Sequence, residues 1–378
     1  MNISRSPQRA RRGFAAGLAG AFALAMLPAV VHAQSHVTIY GLMDLGVEHL
    51  TGVAGGGTLT RMPGFTGSVP SRLGFRGTED LGGGLSATFV MESGLFPDTG
   101  TFNQGGRFFG RQSWLGLSGS FGSVMLGRQY TMLALGMVDA DIMGPNAYAP
   151  SSLDPYIANA RVDNALGYVG AFGNFKVGAT YSFGRDTVNA GPSPGGTNCP
   201  GESASNSNEC KEWSVLAQYQ NATWGVSGVI DHQRGGPGAF GGLTSSAMSD
   251  QRSLVSGFYK FGTVKVGAGL LHRNNQASTT TPRSDLGFLG VSVPVWSAVT
   301  LEAQVQRLDF KDSPNAATLL SGRALYALSK RTALYVTVGH IRNKGTLAAG
   351  SSGGQPPAGA PGPGGSQTGI TTGIRHFF

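Results

Sequence analysis

The chain has 378 residues, and its 61 glycines amount to about 16 % of the sequence, more than twice the ~7 % usual in globular proteins. Only 13 % of the residues are charged, whereas 40 % are hydrophobic, and the glycines are spread through segments that contain aromatic residues. This composition excludes collagen and argues against global disorder, and it favours many short strands joined by glycine turns.

The first 33 residues are typical of a secretory signal peptide that is removed from the working protein. Four arginines precede an alanine-rich apolar stretch at 13–31, and the small residue Ala33 ends it. The alternative is a retained membrane anchor, but the change of pattern at Gln34 favours removal. We therefore predict a signal peptide at 1–33 and one domain at 34–378. Removal leaves a formal charge of about +4 instead of +8, so a nucleic-acid partner is not expected.

The chain after Ala33 alternates between apolar and polar residues with the period of a β-strand. Val37, Ile39 and Val47 fall on one face of the first such segment, and Asp44 and Glu48 fall on the other. Sixteen segments follow this pattern, many of them near the ~9–11 residues that a tilted membrane strand needs. The predicted strands are 35–50, 68–78, 84–94, 107–119, 122–129, 161–170, 173–184, 211–221, 222–232, 251–260, 263–273, 284–293, 298–310, 316–329, 331–342 and 366–378.

The connections between these strands alternate in length. Short glycine turns near 79–83, 119–122 and 261–263 contrast with long polar links such as 130–160 and 343–365. Short turns at one rim and long loops at the other are typical of an outer-membrane barrel, and a closed barrel is the β-architecture that can span lipid. We predict an all-β fold, a transmembrane antiparallel β-barrel of about 16 strands.

Two cysteines, Cys199 and Cys210, lie eleven positions apart in a polar segment. An exported chain meets an oxidising compartment, so a disulfide that closes this loop is the favoured interpretation. Two free thiols are the alternative.

Four stretches of the chain resemble the general porins of Gram-negative bacteria, in particular the trimeric sixteen-stranded type of β-proteobacteria. They are SHVTIYGLMDLGVEHL (35–50), PSRLGFRGTEDLGGGLSATFVMESG (70–94), GRQSWLGLSGSFGSVMLGRQYT (110–131) and GIRHFF (373–378). The resemblance implies location in the outer membrane, a homotrimer, a third extracellular loop folded into the lumen, and passive diffusion of small hydrophilic solutes and ions.

The same resemblance implies partners for assembly. The terminal Phe378 resembles the signal read by the barrel-assembly machinery, although an aromatic residue at the membrane interface is the plainer interpretation. Outer-membrane lipid and lipopolysaccharide are the other expected partners.

A diffusion pore selects solutes by the width and the fixed charges of its constriction. Arg72 and Arg76 share the polar face of the second strand, and Arg128 near the end of the fifth strand is a third candidate. Arg111 is a weaker candidate because it shares its parity with the apolar Leu115.

The link at 130–160 begins with an apolar segment and then carries the acids Asp139, Asp141 and Asp154. If it is the inward-folded loop, these acids face the arginines and create a transverse field across the passage. The alternative is that all these charges are merely solvated. The wall arginines and the slight positive charge predict a weak anion preference.

Motifs of enzymes are weak in this sequence. GPGAFG at 236–241 fits a dinucleotide-binding pattern but sits in a loop without the preceding βα context, and the seven histidines form no pair with metal-ligand spacing. We predict no catalytic residue, no metal site, no cofactor and no enzyme activity. The alternatives to a general porin are a substrate-specific outer-membrane channel and a surface adhesin or structural barrel.

Overall fold

A computed structural model describes residues 36–64, 68–187, 197–353 and 359–378. The predicted signal peptide and its cleavage point lie outside these residues. Within them the chain forms sixteen long strands. These are β1 (His36–Val53), β2 (Arg72–Gly82), β3 (Leu85–Phe96), β4 (Gln112–Gly119), β5 (Gly122–Tyr130), β6 (Arg161–Phe172), β7 (Phe175–Ser182), β8 (Glu212–Gln220), β9 (Trp224–Arg234), β10 (Ser249–Phe261), β11 (Val264–Asn275), β12 (Arg283–Trp296), β13 (Val299–Phe310), β14 (Ala316–Ala327), β15 (Thr332–Lys344) and β16 (Ser366–Phe377).

Each strand pairs antiparallel with the strands before and after it, and the last strand pairs with the first. Leu45 of β1 lies opposite Ile374 of β16, and the terminal Phe378 exchanges two backbone hydrogen bonds of 3.1 Å with Gly41. The sheet is therefore a closed barrel without an unpaired edge. The predicted all-β antiparallel barrel of sixteen strands is confirmed.

Short elements occupy the connections. Two short strands, Gly57–Arg61 and Thr101–Phe102, extend the hairpins near β1 and β3. The helices are α1 (Asn103–Gly106), α2 (Met132–Met137) and α3 (Pro155–Ala158), and 3-10 turns lie at Pro150–Ser152 and Phe240–Gly242. Among the described residues, none of these helices has the length and apolar character needed to cross a membrane.

The two faces of the barrel wall differ as the sequence alternation predicts. In β15, Leu334, Val336 and Val338 are about two-fifths exposed, whereas the intervening Tyr335 and Thr337 are buried. A hydrophobic side chain facing outward from a closed barrel suits contact with lipid, and the polar groups then face the interior. We call these two sides the apolar outer face and the interior face.

The barrel has a short-turn end and a long-loop end. At the short-turn end, Gly82, Gly83 and Gly84 all have positive φ, between +61° and +84°, a conformation that side-chain-bearing residues rarely adopt. At the opposite end lie the long connections, including the loop between β5 and β6, which we call the loop 131–160.

We predict that Leu320→Arg destabilises the barrel. Leu320 lies in the middle part of β14, with 61 % of its surface exposed on the outer face, and a charge at the bilayer midplane costs about 2–4 kcal/mol. Urea-dependent folding into lipid vesicles measures this loss, and Leu320→Val serves as the apolar control. Equal stability of both variants contradicts the assignment of this face to lipid.

Candidate functional site: an arginine cavity beside the loop 131–160

The first part of the loop 131–160 is held by interior-face residues of the wall. The apolar sequence Met132–Met137 forms α2, and Leu133 is fully buried. The Met132 N–H donates to Ser214 Oγ at 2.9 Å, and Ser256 Oγ donates to the Gly136 carbonyl at 2.6 Å. These bonds attach α2 to β8 and β10, because Ser214 and Ser256 alternate with exposed apolar residues along those strands.

The middle of the loop contacts β1 and the strands near the C-terminus of the chain. The Tyr148 hydroxyl donates to Glu48 Oε1 at 2.8 Å, and Ser321 Oγ donates to the Tyr148 carbonyl at 2.6 Å. A Cβ atom at Gly339 would collide with the Tyr148 ring. The missing side chain at Gly339 thus makes room for the tyrosine beside β1, β14 and β15.

A buried ion pair fastens the end of the loop. Arg252 Nε lies 2.7 Å from Asp154 Oδ2, and the Asp154 side chain also accepts a hydrogen bond from the Tyr156 N–H at the start of α3. Burial alone would raise the pKa of Asp154. The charges of Arg252 and Arg273 and the hydrogen bonds from Arg252 and Tyr156 outweigh it and lower that pKa to about 2. Asp154 is therefore ionised at neutral pH.

A cavity of about 380 Å³ lies between the wall and this loop. Its lining includes four arginines and one acid: Arg72, Arg111, Arg161, Arg323 and Asp141. The remaining lining is largely apolar and includes Leu135, Met137, Val138, Ile142 and Met143 of the loop. One side of the cavity is therefore cationic, and the loop side is mostly apolar.

Three of the arginines are linked through Glu92 and Tyr130. Arg111 Nε lies 2.7 Å from Glu92 Oε1, and Arg72 Nε lies 4.0 Å from the other carboxylate oxygen. The Tyr130 hydroxyl oxygen accepts hydrogen bonds from Arg111 at 2.6 Å and from Arg161 at 2.9 Å. One carboxylate thus serves two guanidinium groups, and this cluster keeps an excess of positive charge.

The fourth arginine comes from β14 of the wall, and the acid comes from the loop. Arg323 Nη2 lies 2.6 Å from Glu302, and Nη1 donates to the Met143 carbonyl at 3.1 Å. Asp141 accepts a hydrogen bond of 2.9 Å from Gln304 Nε2. Burial raises the pKa of Asp141 to about 6, even though its hydrogen bonds and the charge of Arg323 act in the opposite direction.

Comparison with known proteins identifies the family. The model of the Gram-negative porin family matches residues 20–346. The chain belongs to the Gram-negative porin family. It is 31 % identical to outer membrane porin protein 32 of Delftia acidovorans, over 94 % of this chain and 98 % of that protein. The protein is therefore an outer-membrane porin.

Solved structures agree with this family. The anion-selective porin from Comamonas acidovorans superimposes with a TM-score of 0.75 at 26 % identity, over 91 % of this chain and all of that chain. OmpT of Vibrio cholerae, solved in a trimer form, has a TM-score of 0.64 at 16 % identity and covers 91 % of this chain and 99 % of its own. The second likeness concerns the fold alone.

The structure brings only part of the predicted constriction set to the cavity of the porin. Arg72 and Asp141 line it. Arg76 lies exposed, with its guanidinium 5.4 Å from the centre of the Tyr40 ring. Asp139 accepts a hydrogen bond of 3.3 Å from Gln218, and Asp154 pairs with Arg252.

Arg128 lies away from the cavity, and a β-bulge gives the physical reason. Register shifts between Gly127 and Gln129, where β5 meets β6. Arg128 keeps the parity of the exposed Leu126, and its Nη1 lies 2.6 Å from Asp163 Oδ1. Arg107 of the connection between β3 and β4 contacts the same carboxylate at 2.9 Å. Arg128 thus belongs to an ion-pair cluster beneath the connections at the long-loop end.

Arg111 lies just before β4, which begins at Gln112, so the regular alternation of that strand does not fix its direction. Gln112 is the register partner of Glu92, and the Arg111 N–H donates to the Glu92 carbonyl at 3.0 Å. Arg161 and Arg323 were not singled out from the sequence. Arg323 shares the parity of the interior Ser321, and this was the one signal available for it.

Cys199 and Cys210 form a disulfide in the connection between β7 and β8, with their Cα atoms 5.3 Å apart. Cys199 and Asp186 exchange two backbone hydrogen bonds, and Asp186 accepts from Arg107. The covalent loop is therefore joined to the connection between β3 and β4. In the described ranges, no group of three side chains that commonly bind metals comes together.

We predict that Asp154→Asn loosens the end of the loop 131–160. The variant leaves Arg252 buried with one carboxylate partner instead of two, and breaking a buried pair costs about 3–5 kcal/mol. Hydrogen exchange should increase at the amides of 150–158. The exposed acid Asp98, changed to Asn, is the control.

The pH dependence of this anchor has a defined sign. Because the pKa of Asp154 is lowered to about 2, its contribution is complete above the ordinary value of 3.8 and disappears as the pH falls through 2. Unchanged exchange in the Asp154→Asn variant at neutral pH contradicts the proposed anchor.

Proposed function

We propose that this porin is a passive diffusion channel for small hydrophilic solutes and ions, with a weak preference for anions. We further propose that the loop 131–160 is folded into the channel and forms its constriction with the wall. The observation that carries the proposal is the lining of the cavity, where four arginines face one acid.

The arrangement of partners supports an anion preference. The carboxylates of Glu92 and Glu302 neutralise part of the arginine charge, but neither residue lines the cavity. A passing solute therefore meets guanidinium groups first. Fixed charges along a narrow, low-dielectric passage raise the local concentration of the opposite ion and orient dipolar solutes.

The apolar loop side supports the same mechanism. The side chains of Leu135, Val138 and Ile142 form no hydrogen bonds, so water and ions in the cavity make their polar contacts mainly with the arginine side. This difference between the two sides of the cavity keeps hydrated anions close to the arginines of the wall. The anion-selective porin from Comamonas acidovorans, which is similar in structure, adds independent support.

The proposal also covers the assembly of the porin, which we infer from its family. We propose a homotrimer in a membrane that contains lipopolysaccharide, inserted by the barrel-assembly machinery. The pairing of Phe378 with Gly41 supports a part for the terminal residue in closing the barrel. Recognition of Phe378 by the machinery stays a prediction.

Reconstitution in planar bilayers tests the function. The wild-type protein should give stepwise, ohmic conductance and a reversal potential of anion sign in a KCl gradient. Arg72→Gln should lower the anion-to-cation permeability ratio about two- to five-fold, because one charge at ~4 Å in water contributes about 1 kcal/mol. Arg76→Gln is the matched control, since Arg76 is on the same strand but outside the cavity lining.

Three outcomes contradict the proposal. A sealed bilayer at high protein concentration excludes a channel. Clear cation selectivity excludes the anion preference. Conductance that saturates with one solute shows a substrate-specific channel. A surface adhesin is tested by deleting 345–365, which then abolishes cell attachment and leaves solute uptake unchanged.

We predict that the anion preference rises as the pH falls from 7 to 5. The pKa of Asp141 is raised to about 6, so this acid is ionised at pH 7 and largely neutral at pH 5. Neutralising the only acid among the cavity-lining residues of the described chain increases the net positive charge of the lining. The reversal potential of Asp141→Asn should not change over this range, and an equal pH response in both proteins contradicts the assignment.

A further inference from the structure

A pair of lysines lies opposite each other near the short-turn end of the barrel. Lys260 of β10 and Lys265 of β11 are direct register partners, with four residues between them that include the turn at Gly262 and Thr263. Like charges directly opposite on adjacent strands destabilise a sheet. A purely structural role therefore does not explain the presence of two lysines at these opposite positions.

The same aromatic ring lies beneath both ammonium groups. Lys260 Nζ is 5.5 Å and Lys265 Nζ is 4.8 Å from the centre of the Phe258 ring. A cation over an aromatic face is held by the ring's quadrupole, while the N–H groups stay available as donors. Among the described residues, neither lysine has a carboxylate within ion-pair distance.

The parity of both strands turns the pair toward the interior face. Gly267 shares the parity of Lys265, and a Cβ atom there would collide with the Ala140 carbonyl of the loop 131–160. Ser256 shares the parity of Lys260 and donates to the Gly136 carbonyl of the same loop. The lysines thus lie along the interior wall, between the loop contacts and the short-turn end.

The nearest acids do not close the site. Asp139 of the loop and Glu302 of β13 attract Lys265 electrostatically. Asp139 is hydrogen-bonded to Gln218 at 3.3 Å, and Glu302 is paired with Arg323 at 2.6 Å. Both carboxylates therefore have other partners, and the ammonium donors of the lysine pair remain exposed to the interior.

We propose that Lys260 and Lys265 form a second anion-binding site between the arginine cavity and the short-turn end. This site binds small oxyanions and halides. These are inorganic anions or simple carboxylates that both ammonium groups can contact at the same time. It rests on the proposed anion-preferring channel and adds a contact that the arginine cavity does not contain. An anion that leaves the arginines then meets a second cationic site before it reaches the short-turn opening.

The test measures reversal potentials of the full-length protein in planar bilayers with KCl at 0.1 M and at 1 M. The double variant Lys260→Gln, Lys265→Gln should lower the anion-to-cation permeability ratio about two- to five-fold at 0.1 M. The change should shrink at 1 M, where the Debye length falls from ~10 Å to ~3 Å. Lys330→Gln is the matched control, since Lys330 is exposed in the turn between β14 and β15 at the same end.

A second pair of variants separates anion binding from loop anchoring. If Lys265 contacts anions, Lys265→Gln lowers the anion preference and Asp139→Asn raises it. If Lys265 only attracts the loop through Asp139, both variants release the loop and change selectivity in the same direction. Lys265→Arg should retain the wild-type value. Inorganic phosphate should reduce the chloride current of the wild type more than that of the double variant.

The outcomes also separate this inference from the function on which it rests. A wild-type channel without anion selectivity refutes the proposed function. If the wild type is anion-selective and the double lysine variant behaves like Lys330→Gln, the second anion-binding site alone is refuted. Selectivity shifts of the same sign in Lys265→Gln and Asp139→Asn also refute it.

Discussion

The architecture depends on one constraint, that a backbone inside lipid must satisfy its own hydrogen bonds. An open sheet of sixteen strands would leave two unpaired edges in a medium without water, and each bare N–H or C=O would cost several kcal/mol. The pairing of β1 with β16 removes both edges, and the exchange between Gly41 and Phe378 completes it at the last residue. Closure then divides every strand into a lipid side and an interior side, so the period of two in the sequence becomes a chemical boundary between lipid and polar groups.

The side chains of the strands alone do not meet across a sixteen-stranded barrel, which leaves space in its interior. The loop 131–160 is attached to the interior face by serine and glutamine side chains that bond its backbone, as in the contact of Gln304 Oε1 with the Ile142 N–H at 3.0 Å. Small residues at the points of contact, such as Gly339 beside Tyr148, allow the loop to approach the wall. The loop side of the cavity is therefore set by contacts between residues that are more than a hundred positions apart in the chain, such as Ile142 with Gln304 and Met143 with Arg323.

This separation explains what the sequence predicts well and what it does not. Strand positions depend on local alternation and turn residues, so the bounds of β5 and β14 were predicted within two residues. The arginines of the cavity depend on irregularities that local alternation does not reveal. Arg111 lies just before β4 begins and pairs with Glu92, and the bulge near Gly127 leaves Arg128 with Asp163. Arg161 stands where the loop returns to the wall, and its position becomes meaningful only when Tyr130 is its neighbour in space.

The position of carboxylates separates the arginine that holds the loop from the arginines that line the cavity. Arg252 has two acids, Asp154 at 2.7 Å and Asp250 at 2.9 Å, so its charge is neutralised and it holds the loop. Arg72 shares Glu92 with Arg111, and its own contact with that carboxylate is 4.0 Å. The net charge of the chain therefore says little about selectivity. A porin of nearly balanced composition can still carry local positive charge where arginines outnumber acids, as in the cavity lining, which has four arginines and one acid.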